Sequence, residues 1–305
     1  MPDMPDQPAA PEPLLVDDDL VLHGLHDAAV DDGVMAFEAI WQHERVGRVE
    51  LLRGDVGDAE LIWLFVPQYR AVGVVERALR LVVRWAFDEL GLRRVEARVE
   101  DDDRDGVRAA MRAGLRKEGV SRAVAVPGGR GDVMVLSALD DDAPPHTREG
   151  FIAQLNAALP TKRAIAQGVI RDAEGRVLLC ELVYKQEWDL PGGVVDPFES
   201  PAQCVVREVR EELGVDVEVR SLLAVNWLPP WRGWSDATVF VFDLGVADED
   251  LVARTTLQPR EIRAVHWVGE EELEARVAPY NQRLLAFLLG HQGPTAYLED
   301  GLPAL

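Results

Sequence analysis

Three glutamates crowd one short stretch of the chain: Glu208, Glu211 and Glu212, with Arg207 in front of them and Gly214 behind. On a helix, Glu208 lies three residues from Glu211 and four from Glu212, so the carboxylates share one face. Like charges at that spacing destabilise a bare helix. They make physical sense around a hard divalent cation such as Mg²⁺ or Mn²⁺, which prefers oxygen ligands. Arg207 is placed to pair with Glu199 and pin the loop ahead of the helix. Gly192 and Gly193 allow tight backbone geometry, and a carbonyl of that turn can aim at the cation. A solvated acidic face, common in acidic proteins, would explain an isolated glutamate triplet. It does not explain the longer register, in which Gly193 is followed after five residues by Glu199, and Glu199 after seven more by Arg207 and Glu208.

The run from Gly193 to Val215 resembles the Nudix box, G-x5-E-x7-R-E-U-x-E-E-x-G-U, at every fixed position. The flanking Trp188-Asp189-Leu190-Pro191-Gly192-Gly193 resembles that family's lead-in, and the resemblance covers about Thr161 to Leu289. It implies an α/β/α sandwich with a loop–helix–loop catalytic motif. The implied reaction is attack by water on a phosphorus of a nucleoside diphosphate linked to another moiety, with Mg²⁺ or Mn²⁺. By the same resemblance, Glu208 and Glu212 are the main metal ligands, aided by the Gly193 carbonyl. Glu211 is a further ligand or the general base. Glu199 and Arg207 are structural, and Gly193 and Gly214 are fixed positions of the box. Glu261, which follows Gln258-Pro259-Arg260 and precedes a strand, is a second candidate for the base. A surface glutamate on a loop reads equally well there.

A substrate would need more than a cation. Between Trp227 and Trp234 the chain reads Trp-Leu-Pro-Pro-Trp-Arg-Gly-Trp, which is costly to leave in water without a purpose. Trp227, Trp231 and Trp234 can form a wall for a nucleobase or ribose, with Arg232 near a phosphate. Alternatively, the loop packs against the other domain or a second subunit. Pro230 sits fifteen residues past Val215, which resembles the ADP-ribose hydrolases of the family. The substrate stays open among ADP-ribose-like compounds, sugar nucleotides and noncanonical nucleoside triphosphates. Cys180 and Cys204 form neither a disulfide framework nor a metal cluster. Cys204 reads as core, and His266 as a satisfied strand histidine.

The elements that must position these groups are legible in outline. Pro201–Leu213 is predicted as a helix, N-capped by Ser200 and stopped by Gly214. Arg163–Asp172 and Gly175–Leu182 are predicted to pair as a hairpin around Ala173-Glu174. Val217–Trp227, Thr238–Leu244 and Ile262–Val268 are further strands, and Glu270–Arg276 and Asn281–Leu289 are closing helices.

In the first half, strands are predicted at Leu20–Leu25, Val34–Gln42, Gly47–Arg53 and Glu60–Val66. A helix follows, with Val75, Leu79, Val82, Val83, Ala86, Phe87 and Leu90 at helical spacing and Gly91 as its stop. Val95–Val99 is a strand, Asp103–Ala113 a helix ended by Gly114, and Ala123–Val126 and Asp132–Ser137 a closing pair. This order resembles the GNAT acetyltransferases over about Leu20 to Leu139. Arg70 and Gly73 match that family's coenzyme A pyrophosphate turn, where backbone N–H groups meet the ligand at a helix N-terminus. Val75 replaces the turn's final Gly or Ala, where a branched side chain would crowd the phosphate. Ala71 replaces a frequent glycine, and Asp101-Asp102-Asp103 stands where a small polar residue is usual. Asp27 to Gly33 is too short for the two helices that usually build the acceptor site. The expectation is therefore a degenerate GNAT-like module without acetyltransferase activity, acetyl-CoA being a doubtful ligand, with a role in dimerisation, stabilisation or ligand sensing. The rivals are a bifunctional acetyltransferase and hydrolase, or a regulator that binds a nucleotide without cleaving it.

The bulk properties set the frame. A chain of 305 residues suits two α/β (α+β) domains, a GNAT-like mixed sheet with helices and then the sandwich. The formal charge of −22 argues against nucleic acid or an anionic membrane as partner. A small nucleotide fits, because a bound cation reverses the local field. Residues 1–13, acidic and proline-rich, read as a disordered leader; 14–139 as the first domain; 140–150, with Asp140-Asp141-Asp142 and Pro144-Pro145, as a linker; and 151–305 as the second domain. With no apolar run of membrane length and few cysteines, a cytoplasmic protein is expected, and a homodimer is allowed.

Overall fold

The computed structural model of the chain describes residues 13–25, 33–70, 73–248 and 250–304. Its contacts separate two compact units, divided between Pro160 and Thr161. The leader expected over 1–13 lies, Pro13 apart, outside the described residues.

The first unit runs β1 (Leu14–Asp17), β2 (Leu20–Leu25), β3 (Val34–Trp41), β4 (Glu44–Arg53), β5 (Asp58–Phe65), α1 (Val74–Asp88), β6 (Arg94–Glu100), α2 (Arg104–Ala113), β7 (Arg116–Val126), β8 (Gly129–Leu139) and α3 (Arg148–Ala158). Its sheet has the order β1-β2-β3-β4-β5-β6-β8-β7. Neighbours are antiparallel except β5 and β6, which α1 connects in parallel. Those two pair only from Asp58–Glu60 to Arg94–Glu96 and then part. Helix α1 buries Val75, Leu79, Val82, Val83 and Ala86 in a core with Phe37, Leu51 and Leu61, the stripe its spacing predicts.

Two features of this unit differ from expectation. Strand β7 starts at Arg116, well before Ala123, and its mostly exposed side chains give no alternation to read. Helix α3 was not anticipated, although Thr147 caps it by accepting from the Gly150 amide at 3.1 Å. Gln154 Nε2 donates to the Met111 carbonyl at 2.7 Å and ties α3 to α2. The helix spans the end of the expected linker and the start of the expected second domain, and it belongs to the first unit.

The second unit runs β9 (Arg163–Arg171), β10 (Val177–Leu182), β11 (Gly192–Val194), α4 (Pro201–Leu213), β12 (Ser221–Leu228), β13 (Ala237–Val246), α5 (Leu251–Arg254), β14 (Ile262–Val268), α6 (Leu273–Arg276), α7 (Pro279–Gly290), β15 (Ala296–Glu299) and β16 (Leu302–Pro303). The strand order is β14-β10-β9-β13-β12-β15-β16, with β11 added on β9. Alternate residues of β10 enter different cores. Leu178, Cys180 and Leu182 meet Cys204, Val205, Val209 and Leu213 of α4. Val177 and Leu179 meet Leu284, Leu285 and Leu288 of α7. A sheet with a helix layer on each face is the α/β/α sandwich expected.

The expected hairpin of β9 and β10 holds only at its mouth, where Val177 faces Arg171. Beyond it, β10 pairs along its length with β14, and β9 with β13 and β11. The two strands diverge, and the lead-in to the box enters beside them: Asp189 exchanges backbone hydrogen bonds with Cys180 at 2.8 and 3.0 Å. Among the described residues, no helix is long and apolar enough to cross a membrane.

Candidate active site

Helix α4 carries the glutamates and is fixed at both ends. Ser200 and Gln203 form a reciprocal capping box, and Gly214 closes the helix in the left-handed conformation at φ 69°. Of the three carboxylates, Glu212 is the buried one, 6 % exposed. Its Oε2 accepts from the Gly192 amide at 3.0 Å. Gly192 stands at φ 140°, and a Cβ there would lie 2.1 Å from the Ala166 carbonyl oxygen, so only glycine fits. Glu208 lies against Gly193, where an added Cβ would meet its Oε1 at 2.4 Å. The glycine pair thus brings backbone within reach of two carboxylates.

Arg207 organises the front of the helix. Its Nε and Nη2 grip both oxygens of Glu199 at 2.8 and 3.0 Å. Its Nη1 also donates to Glu208 at 2.9 Å and to Glu211 at 3.2 Å. The Glu199 oxygen gripped by Nη2 accepts from the Asp196 amide as well, which closes the loop ahead of the helix. The Arg207 guanidinium holds the Glu199 carboxyl at about 2.

The two inward carboxylates shift the other way from Glu199. Burial pushes the Glu212 carboxyl up to about 8; Glu208, Glu261 and Asp189 reinforce the shift, and the Gly192 amide opposes it. Burial raises Glu208 as well, against the pull of Arg207. Burial disfavours the charge on both, a condition that a divalent cation relieves. Glu211, by contrast, has a side chain 58 % exposed and turned to Arg207. Among the described residues, no three His, Cys, Asp or Glu side chains stand together as a ready-made cation cage. With Arg207 donating to both Glu208 and Glu211, their oxygens are partly engaged within the box itself. Glu261 is exposed, yet its charge reaches Glu208, Glu212 and Tyr184.

Behind the glycines lies a network that the sequence did not announce. Asp189 is buried, and its Oδ1 accepts from Gln167 Nε2 at 2.8 Å, from Asn281 Nδ2 at 2.5 Å and from the Leu190 amide at 3.0 Å. Its Oδ2 receives the ammonium of Lys185. Burial works against the lysine's charge, but Asp189 outweighs it and holds the Lys185 pKa above its usual value. The available signal was an acid just before Leu190-Pro191-Gly192-Gly193, in a stretch that had to be buried.

The aromatic loop divides. Trp227, on β12, is half-buried and donates from Nε1 to Asp236 at 3.2 Å. Trp231 and Trp234 pair through mutual backbone hydrogen bonds of 3.1 and 2.9 Å around a turn in which Arg232 and Gly233 have φ of 47° and 86°. Trp231 sets its edge on Tyr280, with ring centroids 5.9 Å apart, and carries the Arg232 guanidinium 4.2 Å over its face. Arg232 also reaches Glu187 at 3.0 Å, and Arg163 lies 4.9 Å over Trp234. Pro230 is exposed at the root of the turn. Trp188 is a packing residue, sandwiched between His266 at 4.1 Å and the Arg276 guanidinium at 4.5 Å. His266 is satisfied by Glu181 at 3.2 Å, as its strand position predicts. Cys204 is buried, its thiol donating to the Val194 carbonyl at 3.5 Å.

In the first unit, Gly73 caps α1 at φ 80°, with Arg70 nearby across residues 71–72, which lie outside the described residues. The expectation for Val75 needs correction. Its side chain is 2 % exposed and packed into the core, so it does not crowd the turn. Glu76, in the first turn of α1, accepts from Arg112 of α2 at 3.2 Å. Asp103 of the acidic run is the N-cap of α2, accepting from the Gly106 amide at 3.0 Å. Where β5 and β6 part, a cleft of about 510 Å³ opens beside Leu61, Trp63, Arg98 and Glu100. Most of the short Asp27 to Gly33 connection lies outside the described residues.

Known proteins match the two halves separately. The NUDIX domain family model matches residues 161–288, and the Acetyltransferase (GNAT) domain model matches residues 17–116. The MutT-like protein of Streptomyces ambofaciens is 35% identical over 143 residues, covering 47% of this chain and 86% of that protein. The CTP pyrophosphohydrolase of Escherichia coli (strain K12) is 32% identical over 121 residues, 38% of this chain and 84% of that protein. In the first half, the probable N-acetyltransferase YjcK of Bacillus subtilis (strain 168) is 34% identical over 98 residues, 32% of this chain and 54% of that protein. The chain belongs to the Nudix family of hydrolases acting on phosphorus anhydrides, and residues ahead of that domain are similar to the GNAT acetyltransferase domain.

Proposed function

We propose that the second unit hydrolyses a nucleoside diphosphate linked to another moiety, with Mg²⁺ or Mn²⁺ held by Glu208, Glu212 and the Gly193 carbonyl. The observation that carries this reading is Glu212: a buried carboxylate fixed on the Gly192 amide, raised to about 8 by burial, and with no ion-pair partner among the described residues. Oxygen donors of that kind fit a hard cation. When bound, the ion supplies positive charge against the diphosphate and acidifies the attacking water. Arg207 and Glu199 hold the loop that leads from Gly193 to the helix. Glu211, exposed at the helix face, and Glu261, on the loop before β14, are the two candidates for accepting the water's proton. Trp231 and Trp234, with Arg232 between them, supply faces on which a nucleobase or ribose stacks. The substrate lies among ADP-ribose-like compounds, sugar nucleotides and noncanonical nucleoside triphosphates, in the cytoplasm. A panel of these with Mg²⁺, read as released phosphate or nucleoside monophosphate, tests it. No turnover of any member overturns the reading.

The first unit is proposed to lack acetyl transfer. Glu76 and its partner Arg112 place a carboxylate in the first turn of α1, where a coenzyme pyrophosphate would need donors. The cleft between β5 and β6 favours the bifunctional reading instead. Calorimetric titration with acetyl-CoA separates the two: saturable micromolar binding removes the first, and no binding supports it.

A further inference from the structure

Lys185 is an unusual cation for this site. Its one hydrogen-bond partner among the described residues is Asp189 Oδ2. Asp189 in turn is locked, because Gln167, Asn281 and the Leu190 amide all donate to its other oxygen. The ammonium has three N–H groups and spends one on this contact, and its side chain remains 31 % exposed. It lines an open recess with Glu181, Val183, Tyr184, Gln186 and Arg263, the Glu181 carboxylate being taken up by Arg263 and His266. Other cations of the unit are engaged: Arg207 by Glu199, Glu208 and Glu211; Arg232 by Glu187; Arg263, in the same recess, by Glu181. Gln167, which holds Asp189, is paired in the sheet with Gly192, whose amide holds Glu212. The network therefore presents a positive group with free donors beside the carboxylates, at a fixed position.

We infer that Lys185 is a substrate-binding residue that grips a non-bridging phosphate oxygen of the diphosphate, and that Asp189 is the positioning residue that aims it. The inference rests on the reading of the second unit as a diphosphate hydrolase. A lysine suits the task as a compact point charge with rotatable donors. The locked carboxylate removes much of the rotamer freedom that an unsupported lysine would lose on binding. The rival role is a plain structural ion pair, stabilising the lead-in loop and nothing more.

The test measures binding and turnover on the full chain with Mg²⁺. Methylenediphosphonate, a diphosphate that cannot be hydrolysed, is titrated calorimetrically into the wild type, Lys185→Met, Lys185→Arg and Asp189→Asn. Lys185→Met is expected to weaken binding roughly ten- to hundredfold, the range of one charge-assisted hydrogen bond, and to raise KM more than it lowers kcat. Lys185→Arg should recover most of the affinity. Asp189→Asn should lose part of it, with KM again the parameter that moves. Unchanged affinity and KM in Lys185→Met, alongside a lowered melting temperature, would reduce the pair to a structural one. A wild type that turns over nucleotides but gives this result removes Lys185 alone. A wild type that turns over none removes the hydrolase reading beneath it.

Discussion

The amide of Gly192 donates to Oε2 of Glu212 across 3.0 Å, joining the strand that precedes the helix to the buried carboxylate at its far end. The bond fixes the carboxylate's direction without neutralising its charge. A carboxylate held in place, buried and uncompensated is the arrangement expected of a cation ligand before the ion arrives.

Glu212→Gln should therefore abolish turnover, by roughly a hundredfold or more, while the protein still folds. The amide keeps an oxygen for Gly192 and removes the cost of a buried charge. The loss should exceed the ten- to hundredfold typical of an outer-shell partner. Turnover by the wild type should stop in EDTA and return with Mg²⁺ or Mn²⁺. Undiminished activity in the variant would remove Glu212 from the ligand set.

Two adjacent glycines should fail differently. Gly192→Ala meets a backbone carbonyl at 2.1 Å and an unfavourable φ of 140°, so relief requires the strand to move. A loss of about 2 kcal/mol or more in denaturant unfolding is expected. Gly193→Ala has the carboxylate of Glu208 as its nearest obstacle, and that side chain can swing away. Its stability should change by about 1 kcal/mol or less, while kcat collapses because a ligand has been displaced. Equal stability losses in the two variants would contradict this division.

Local signals made α4 readable. Ser200 and Gln203 cap it, Gly214 stops it, and the carboxylate spacing needs only a helix to become a site. The same reasoning could not separate Glu211 from its neighbours, because which carboxylate is buried depends on β9 and the glycine turn. The β9–β10 hairpin was misjudged for a related reason. A turn signal at Ala173-Glu174 fixes the mouth, but partners distant in the chain, β14 and β13, decide where each strand goes. The role of Asp189 is not legible in the sequence, because its donors, Gln167 and Asn281, come from a strand and a helix far from it along the chain. Val75 was assigned to the turn when its helical phase already placed it with Leu79 and Val82 on the core face.

Acid should loosen the first unit. Arg94, with help from Ser137, holds the Glu118 carboxyl at about 2, below the ~4.3 of an unfolded chain. A carboxyl lowered on folding stabilises the fold above its unfolded pKa, and that contribution fades as pH falls from ~4.3 through about 2. Partial exposure keeps the effect small. Hydrogen exchange of β6, β7 and β8 amides at pH 6 and pH 3 should show protection falling with acid, and falling less in Glu118→Gln. Identical pH dependence in the variant would assign the loss to other carboxylates.

Trp231 and Trp234 offer the clearest handle on substrate choice. Both are exposed, Trp234 at 66 %, so neither is needed to complete a core. Trp231 is nevertheless oriented, by Tyr280 at its edge and Arg232 over one face. A stacking surface for a base needs that combination of exposure and fixed direction, and base–aromatic stacking is worth ~1–3 kcal/mol. Trp231→Ala should raise KM for the preferred nucleotide by roughly five- to a hundredfold, with kcat little changed and stability altered by about 1 kcal/mol or less. The same variant should hydrolyse substrates with different bases at more nearly equal kcat/KM. If KM holds and the melting temperature drops, the turn is a packing element, and selection of the base lies elsewhere in the second unit.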